Sequence, residues 1–356
     1  MRDYRSHSQI DKYDNCPRSY RYKYIDGLET KANANLVLGS AMGKCMEHVL
    51  NEHKFTRDSL VPPDPLLEEG LQVMSKYMTD ELPSVSPTQD EIDEALEIEL
   101  HLSFLVKHYF KFIFPKQGLI PLDPEVKIDL GIKDLTERVT GYIDMLCQSA
   151  RTGEYVVVDF KTINSKPSKP KLGYRRQTWL YANALQQEMG LDHLPTCQLH
   201  HFVKRLPYIN RKRKTLTING YQFSPAELPE RMNDFPPELI EALYDNKLFE
   251  ERIVLLNAPF SQSEWLDYQE VFFNLEFSIR NNFWPKNRNS GLCTPQYCDF
   301  WDICMGAEEN SNSLQQQKLL VDSSSRETVG LKDVPFQVDA PESTPDWPEK
   351  VNNFLF

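Results

Sequence analysis

Three consecutive segments near the middle of the chain alternate apolar and polar residues, and this pattern constrains the fold more than any other feature. The segments cover residues 124–133, 137–148 and 154–161, and Arg151-Thr152-Gly153 forms a tight turn between the last two. Alternation with a period of two is typical of half-buried β-strands. The sequence therefore predicts neighbouring antiparallel strands at the centre of the fold.

Segments with a helical apolar period surround these strands. Helices are predicted at residues 8–26, 36–55, 65–82, 89–115, 174–189, 225–247 and 262–282, and further strands at 196–204 and 215–223. The helix at 89–115 is preceded by Thr88, and Glu91 follows three residues later, which is a capping-box pattern. Strands flanked by helices predict an α/β class.

The composition permits a large core and limits the compartment. The 356 residues are 40% hydrophobic, and no apolar run reaches the ~18 residues of a transmembrane helix. The first residues lack the apolar stretch of a secretory signal, so we expect a cytoplasmic protein, or one in a host cytoplasm if the source is viral. The net charge of −12 argues against bulk nucleic-acid binding but leaves room for a local basic groove.

The last fifty residues differ from the rest in composition. Residues 307–356 are rich in Ser, Gln, Asn and Pro, and they carry nine acidic against four basic residues. Such composition is typical of disorder. We expect a folded domain at residues 1–306 and a disordered acidic tail at 307–356, which is a candidate docking segment for a helicase or replication partner.

The central strands carry a constellation of charged residues. Asp144 lies near the end of one strand, and Asp159 and Lys161 lie near the end of the next. Two carboxylates on neighbouring strands form a hard-oxygen site for Mg²⁺ or Mn²⁺. Lys161 shares the face of Asp159 and could orient an attacking water. An isolated Asp-x-Lys is more often an exposed strand position, so the prediction rests on the combination.

Together these residues resemble the core of the PD-(D/E)XK nucleases, and in particular the RecB-like branch. The resemblance is carried by Gly141-Tyr-Ile-Asp144 and by Val156-Val-Val-Asp159-Phe160-Lys161-Thr162. Further segments match in family order from Ser8 to Cys304: Cys16-Pro-Arg, Gly39 to His48, Glu125 and Gln177-Thr-Trp-Leu-Tyr181. The resemblance implies a restriction-endonuclease-like fold, in which helices flank a central mixed sheet and a helical region precedes it.

The resemblance also implies roles for the individual residues. A metal ion would be held by His48, Asp144 and Asp159, with the carbonyl of Phe160 as a possible fourth contact. Lys161 would act on the nucleophilic water. Gln177 and Tyr181, which share one helix face, would contact DNA or steady the site. Glu125 corresponds to a family acid on the preceding strand, although an exposed strand acid is an equally good interpretation.

A second group of residues suits a metal centre of another kind. Cys293, Cys298 and Cys304 are dense enough for zinc or an iron–sulfur cluster, and three ligands need a fourth. In the iron–sulfur members of the RecB-like branch the fourth is the N-terminal cysteine, which is Cys16 here. The family has two residues between the first two C-terminal cysteines, whereas this chain has four. A [4Fe–4S] cluster is expected, with structural zinc or unligated thiols as alternatives.

The sequence thus predicts a metal-dependent deoxyribonuclease that hydrolyses phosphodiester bonds. By resemblance it is an exonuclease that acts on DNA with single-stranded ends in recombination, repair or replication. Two alternatives remain open: a non-catalytic DNA-binding or scaffold subunit, and a nuclease subunit of a helicase–nuclease or CRISPR-adaptation complex. The sequence indicates no membrane partner.

Overall fold

A mixed β-sheet forms the centre of the computed structural model of this chain. The structure describes residues 4–30, 34–85, 88–132, 138–204, 216–218, 221–223 and 252–306. Contacts divide the chain into two units, residues 1–301 and 302–356. All elements named below belong to the first unit, and residues 302–306 of the second are helical. The predicted helix at 225–247 and the predicted tail at 307–356 lie outside the described residues.

The sheet combines parallel and antiparallel pairs, which confirms the predicted fold class. Its strands are β1 (Tyr4–Arg5), β2 (Leu119–Leu130), β3 (Arg138–Ser149), β4 (Tyr155–Ile163), β5 (Thr196–Val203) and β8 (Ile253–Asn257). Strand β3 pairs antiparallel with β2 and β4, β4 pairs parallel with β5, and β5 pairs antiparallel with β8. The short β1 pairs parallel with the start of β3. Strand β2 pairs with one edge of β3 along nearly its full length. Strands β1 and β4 therefore both pair with the other edge of β3, at different positions.

Helices cover both faces of this sheet. They are α1 (His7–Asn15), α2 (Pro17–Tyr20), α3 (Ala34–Glu52), α4 (Asp64–Glu81), α5 (Gln89–His108), α6 (Leu172–Met189) and α7 (Gln262–Asn281). The predicted capping box of α5 is confirmed. The backbone N–H of Glu91 donates to Thr88 Oγ1 at 3.3 Å, and the Thr88 N–H donates to Glu91 Oε2 at 2.8 Å.

Strand β4 separates two apolar cores. Val156, Val158 and Phe160 pack with buried residues of α3, α4 and α5. Val157 packs instead with buried residues of α1, α6 and α7. Since alternate residues of a strand point to the same side, Asp159 and Lys161 share the face of Val157. The charged residues therefore lie on the side of the sheet that α1 and α6 cover.

Several predicted boundaries differ from the structure. The single helix predicted at 8–26 is wrong, because Pro17 cannot donate the hydrogen bond that would continue α1 and begins α2 instead. A π-helical turn at Arg21–Ile25 follows. The helix predicted at 89–115 ends at His108 and continues as a π turn and a 3₁₀ turn. The strand predicted at 215–223 is two short paired strands, β6 (Leu216–Ile218) and β7 (Tyr221–Phe223).

The helices of the described residues include none that could cross a bilayer, because none of them combines sufficient length with sufficient apolar character.

Two helical glycines test how closely α3 and α4 pack. A Cβ at Gly70 would lie 2.7 Å from Val49 Cγ2 and 3.3 Å from Cys45 Sγ, whereas a Cβ at Gly43 meets nothing within 4 Å. We expect Gly70→Ala to lower the free energy of unfolding by about 1–3 kcal/mol through overpacking. The matched Gly43→Ala should raise it by about 0.5–1 kcal/mol through helix propensity. Urea unfolding measures both, and equal effects would contradict the close packing.

Candidate active site

Asp144 and Asp159 face each other across the pairing of β3 and β4. The register pairs Met145 with Val158, so the next residues along each strand, Asp144 and Asp159, lie opposite one another. Asp159 is fully buried, and Asp144 is partly buried. The backbone N–H of Phe160 donates to Asp144 Oδ2 at 2.6 Å. The structure therefore brings together the two carboxylates that the sequence singled out and fixes one of them to the partner strand.

Lys161 supplies the positive charge beside this pair. Its Nζ lies 2.9 Å from Asp159 Oδ1 and 2.7 Å from Asp159 Oδ2. Burial and the neighbouring Asp159 raise the pKa of Asp144 to about 8. Burial also raises the pKa of Asp159, while Lys161 opposes the rise. Burial works against the charged lysine, but the two carboxylates outweigh it and raise the pKa of Lys161. One lysine thus neutralises only part of the negative charge of the two carboxylates, and a further cation would neutralise the rest.

Glu125 adds a third carboxylate in a strained conformation. The pairing of Pro124 with Met145 and of Val126 with Ile143 places Glu125 across from Asp144. Its φ of 51° lies in the left-handed region that non-glycine residues rarely adopt. Burial and the neighbouring Glu47 raise the pKa of Glu125, while Lys44 opposes the rise. Backbone strain of this kind is typical of functional sites.

The Gln177–Tyr181 pair of α6 covers the carboxylates. Gln177 Nε2 donates to the Tyr181 hydroxyl at 2.8 Å, as the i, i+4 spacing requires. Tyr181 is 5% exposed, and burial and then the nearby Asp159 raise the pKa of its hydroxyl. A Cβ at Gly141 would lie 2.8 Å from Tyr181 Cε1. The glycine of the Gly141-Tyr-Ile-Asp144 motif is therefore the residue that lets the tyrosine ring reach β3.

The structure does not gather His48 and the two aspartates into one group. His48 lies on α3, and α3 packs on the opposite face of the sheet, where a Cβ at Gly39 would meet Thr162 Oγ1 at 3.2 Å. His48 Nε2 is buried, makes no hydrogen bond within the described residues and lies 3.8 Å from Glu69 Oε2. Phe160 meets Asp144 through its N–H, whereas the resemblance implied a role for its carbonyl.

Two further side chains approach Lys161. Its Nζ lies 5.4 Å from the centre of the Tyr174 ring, a cation–π distance. Burial and then the positive charges of Lys161 and Arg176 lower the pKa of His7 to about 3. His7 Nδ1 is 2.6 Å from the Tyr268 hydroxyl. The sequence does not reveal the position of His7, because no local pattern connects it to a tyrosine 261 positions away.

Two arginines near the start of α6 form ion pairs with neighbouring helices. Arg175 contacts both carboxylate oxygens of Glu264 at 2.8 and 2.9 Å. Arg176 Nη1 lies 2.7 Å from Asp14 Oδ2. Both arginines therefore help to join α6 to α7 and α1.

Cys298 has both the N-terminal Cys16 and the C-terminal Cys293 in its surroundings. Burial raises the pKa of Cys298, the backbone N–H of Phe300 opposes the rise, and the nearby Cys16 and Cys293 thiols add to it. The three thiols form no disulfide. Packing around them joins distant segments, since Asn287 Nδ2 donates to the carbonyl of Asn15 at 3.0 Å. Cys304 lies in the helical residues of the second unit.

Neither place brings three candidate metal ligands to one point within the described residues. Within the part of the chain that the structure describes, no three His, Cys, Asp or Glu side chains are arranged so that they could hold one metal ion. The carboxylate site offers Asp144 and Asp159 as a pair, and the cysteine site offers Cys298 with Cys16 and Cys293 in its surroundings.

Comparison with known proteins identifies the family. A family model described as the PD-(D/E)XK nuclease superfamily matches residues 5–305. The chain belongs to the PD-(D/E)XK nuclease superfamily. The match runs from Arg5 to beyond Cys304 and includes the paired aspartates, so the nuclease interpretation of the sequence holds at the level of the superfamily. Members of this superfamily typically use Mg²⁺ or Mn²⁺.

More specific relatives are distant. No curated protein matches this sequence. Among solved structures, a proposed exonuclease from Eubacterium rectale is similar with 12% identity and a TM-score of 0.44, covering 82% of this chain and 87% of that one. The protein SSO0001 is similar with 12% identity and a TM-score of 0.27, covering 84% of this chain and 94% of that one.

The strain at Glu125 leads to a prediction about stability and activity. We expect Glu125→Gly to raise the free energy of unfolding by about 1 kcal/mol, because glycine adopts a positive φ without steric cost. The same variant should cleave DNA more slowly, because it lacks the carboxylate across from Asp144. Thermal unfolding and a nuclease assay measure the two effects.

Asn282→Gly is the matched control for this variant. Asn282 also has a positive φ, 48°, but it lies at the end of α7. Its replacement should leave both stability and cleavage nearly unchanged, because asparagine tolerates this conformation. A Glu125→Gly protein with a lower free energy of unfolding than the wild type would show that the positive φ of Glu125 does not strain the backbone.

Proposed function

We propose that this superfamily member is a metal-dependent deoxyribonuclease of the RecB-like kind, and that it acts as an exonuclease on DNA ends. The observation that carries the proposal is the buried pair of Asp144 and Asp159 on adjacent strands, with Lys161 bound to one of them. A non-catalytic scaffold would have no need to bury two facing carboxylates, because such burial destabilises the fold.

The chemistry of the donors fits Mg²⁺ or Mn²⁺. Both ions prefer carboxylate oxygens, and the two aspartates provide them in one place. Asp159 Oδ2 is buried and makes no directed hydrogen bond within the described residues, although the Lys161 ammonium lies close by. Asp144 and Asp159 would hold the ion, with Glu125 beside them. His48 and the Phe160 carbonyl remain ligands that the family resemblance implies.

The side chains of this chain would divide the reaction between them. When bound, a divalent ion polarises the phosphate and lowers the pKa of water. Lys161 would orient the attacking water and stabilise the negative charge that develops on the phosphate. The Phe160 N–H holds Asp144 in place, and the Gln177–Tyr181 pair excludes bulk water from that side. Water would attack the phosphorus directly and lose a proton, one P–O ester bond would break, and the released sugar oxygen would take up a proton, so no covalent intermediate would form.

The preference for DNA ends comes from the family resemblance. Lys169 and Lys171 are exposed, and they lie in the segment that connects β4 to α6. Such lysines suit backbone phosphates. We also propose that residues 307–356 form an acidic segment that recruits a helicase or replication partner.

The central experiment is cleavage of end-labelled single-stranded and duplex DNA. We expect cleavage with Mn²⁺ or Mg²⁺, none with EDTA, and a loss of at least about 100-fold for Asp159→Asn and for Lys161→Met. The Asp159→Asn protein should be at least as stable as the wild type, because it relieves the repulsion with Asp144. Asp129→Asn is the control, since Asp129 is a half-buried carboxylate on β2 that pairs with Arg138, away from the paired aspartates.

The lengths of the labelled products distinguish exonuclease from endonuclease action. The cleavage rate of His48→Ala shows whether His48 on α3 contributes a metal ligand. Cleavage by Asp159→Asn at the wild-type rate, or cleavage that persists in EDTA, would contradict the proposed metal site. A wild-type protein that binds DNA without cleaving it under any metal would favour the scaffold alternative.

We further propose that Cys16, Cys293, Cys298 and Cys304 hold a [4Fe–4S] cluster, with structural zinc as the alternative. The family resemblance carries this proposal, and the presence of Cys16 and Cys293 in the surroundings of Cys298 supports it, because these cysteines come from the two ends of the matched region. Thiolates are suitable ligands for either centre. A centre held in this way would cross-link α1 and α2 to the residues after α7.

Metal analysis after anaerobic purification tests this proposal. We expect iron and acid-labile sulfide with broad visible absorbance in the wild type, and a large loss of both in Cys16→Ser and Cys298→Ser. Cys45→Ala is the control, because Cys45 is a buried thiol of α3 that packs among apolar residues. Zinc in place of iron would select the alternative, and a wild type with neither metal would reject both.

A further inference from the structure

Helix α7 is apolar on two of its sides. Its inner side packs into the core that also contains residues of α1 and α6, through the buried side chains of Trp265, Tyr268, Phe272 and Leu275. Its outer side carries Leu266, Phe273 and Phe277, which are 54%, 43% and 57% exposed. A surface helix normally presents polar residues on its outer side. The outer side of α7 therefore has the composition of an interface.

The exposed apolar residues belong to one continuous stripe. Leu266, Glu270, Phe273, Phe277 and Arg280 follow each other at alternating steps of four and three residues, so they lie in one line along the helix. All five are exposed. We call this line the outer stripe. Large apolar side chains that lie together on a surface mark protein–protein interaction sites.

The two charges of the outer stripe have no partners. Glu270 and Arg280 form no ion pair or hydrogen bond within the described residues. They are ten residues apart, which is about 15 Å along a helix and too far for them to pair with each other. The outer stripe thus presents an unpaired negative charge and an unpaired positive charge, with two phenylalanines between them.

The order of these residues makes the outer stripe complementary to itself. The steps from Glu270 to Phe273, to Phe277 and to Arg280 are three, four and three residues, and this series is the same in both directions. When a second α7 lies antiparallel to the first, each Phe273 is level with the Phe277 of the other copy. Each Glu270 is then level with the Arg280 of the other copy.

The charges thus determine which partner fits the outer stripe. A parallel copy in register would place equal charges side by side, which is unfavourable. An antiparallel copy pairs opposite charges at both ends of the contact. Such a contact is related by a twofold axis and closes after two copies. The occupant that the outer stripe fits is therefore a second copy of this chain.

We propose that two copies of this chain form a dimer through the outer stripes of their α7 helices, which pack antiparallel about a twofold axis. Helices packed in this way have axes about 8–10 Å apart, so the phenylalanines of both copies meet. A contact confined to one helix of each copy is smaller than the ~800 Å² per partner of a standard interface. The dimer is therefore reversible, with a dissociation constant in the micromolar range. It does not depend on the proposed nuclease function.

Sedimentation velocity of the full chain at increasing concentrations measures the association, with a thiol reductant present so that no intermolecular disulfide contributes. We expect a monomer–dimer equilibrium in the wild type. The double variant Phe273→Ser and Phe277→Ser should associate at least about 100-fold more weakly, because central aromatic residues carry most of the binding. Phe112→Ser is the control, since Phe112 is an exposed phenylalanine in the π turn after α5, whose neighbours belong to the other apolar core.

Charge reversal tests the antiparallel pairing. Glu270→Arg and Arg280→Glu should each weaken association by about five- to tenfold, because like charges then face each other at both ends of the contact. An equimolar mixture of the two variants should associate about as strongly as the wild type. In the mixture one variant presents two positive charges and the other two negative charges, and a misfolded variant could not produce this recovery.

Three results would overturn the proposal. A wild type that stays monomeric at every concentration would do so, and it would leave the outer stripe to a different protein. A dimer that persists in the double phenylalanine variant would show that the contact lies elsewhere on the chain. Charge reversals without effect, or a mixture that associates no better than either variant alone, would overturn the antiparallel pairing.

Discussion

Repulsion between two carboxylates on neighbouring strands is the constraint that the rest of this structure depends on. Asp144 and Asp159 face each other at a place that helices cover from both sides. Burial disfavours both charges, and each charge disfavours the other. Lys161 and the Phe160 N–H offset part of this cost. The result is a pocket of negative charge that a divalent cation would stabilise further.

The surrounding elements make this arrangement possible. Two separate apolar cores, one on each face of β4, supply the burial that lets the sheet tolerate the charged pair. Gly141 leaves space for the Tyr181 ring. Glu125 lies across from Asp144 with an unfavourable positive φ. Local strain and close packing are thus concentrated at the same few positions of β2 and β3.

The sequence predicted the parts of the fold that local pattern determines. The pairing of β3 and β4 follows from period-two alternation on both sides of the Arg151-Thr152-Gly153 turn, so the meeting of Asp144, Asp159 and Lys161 could be foreseen. The Gln177–Tyr181 contact follows from helical spacing. In contrast, β1 has two residues and β8 has five, and neither exists without its partner strand. The position of His48 depends on which face of the sheet α3 covers, and no local pattern specifies that.

The packing of the first helices against α7 and the residues after it has a consequence for synthesis on the ribosome. His7, Tyr13 and Arg18 contact residues that lie 261, 265 and 266 positions later. At about 5–20 residues per second, these partners emerge roughly 10–50 s after the helices that need them. During that interval the apolar side of α1 is exposed in the nascent chain. Although α1 is translated well before these partners, it is therefore late to reach its native contacts, and chaperones have long access to it.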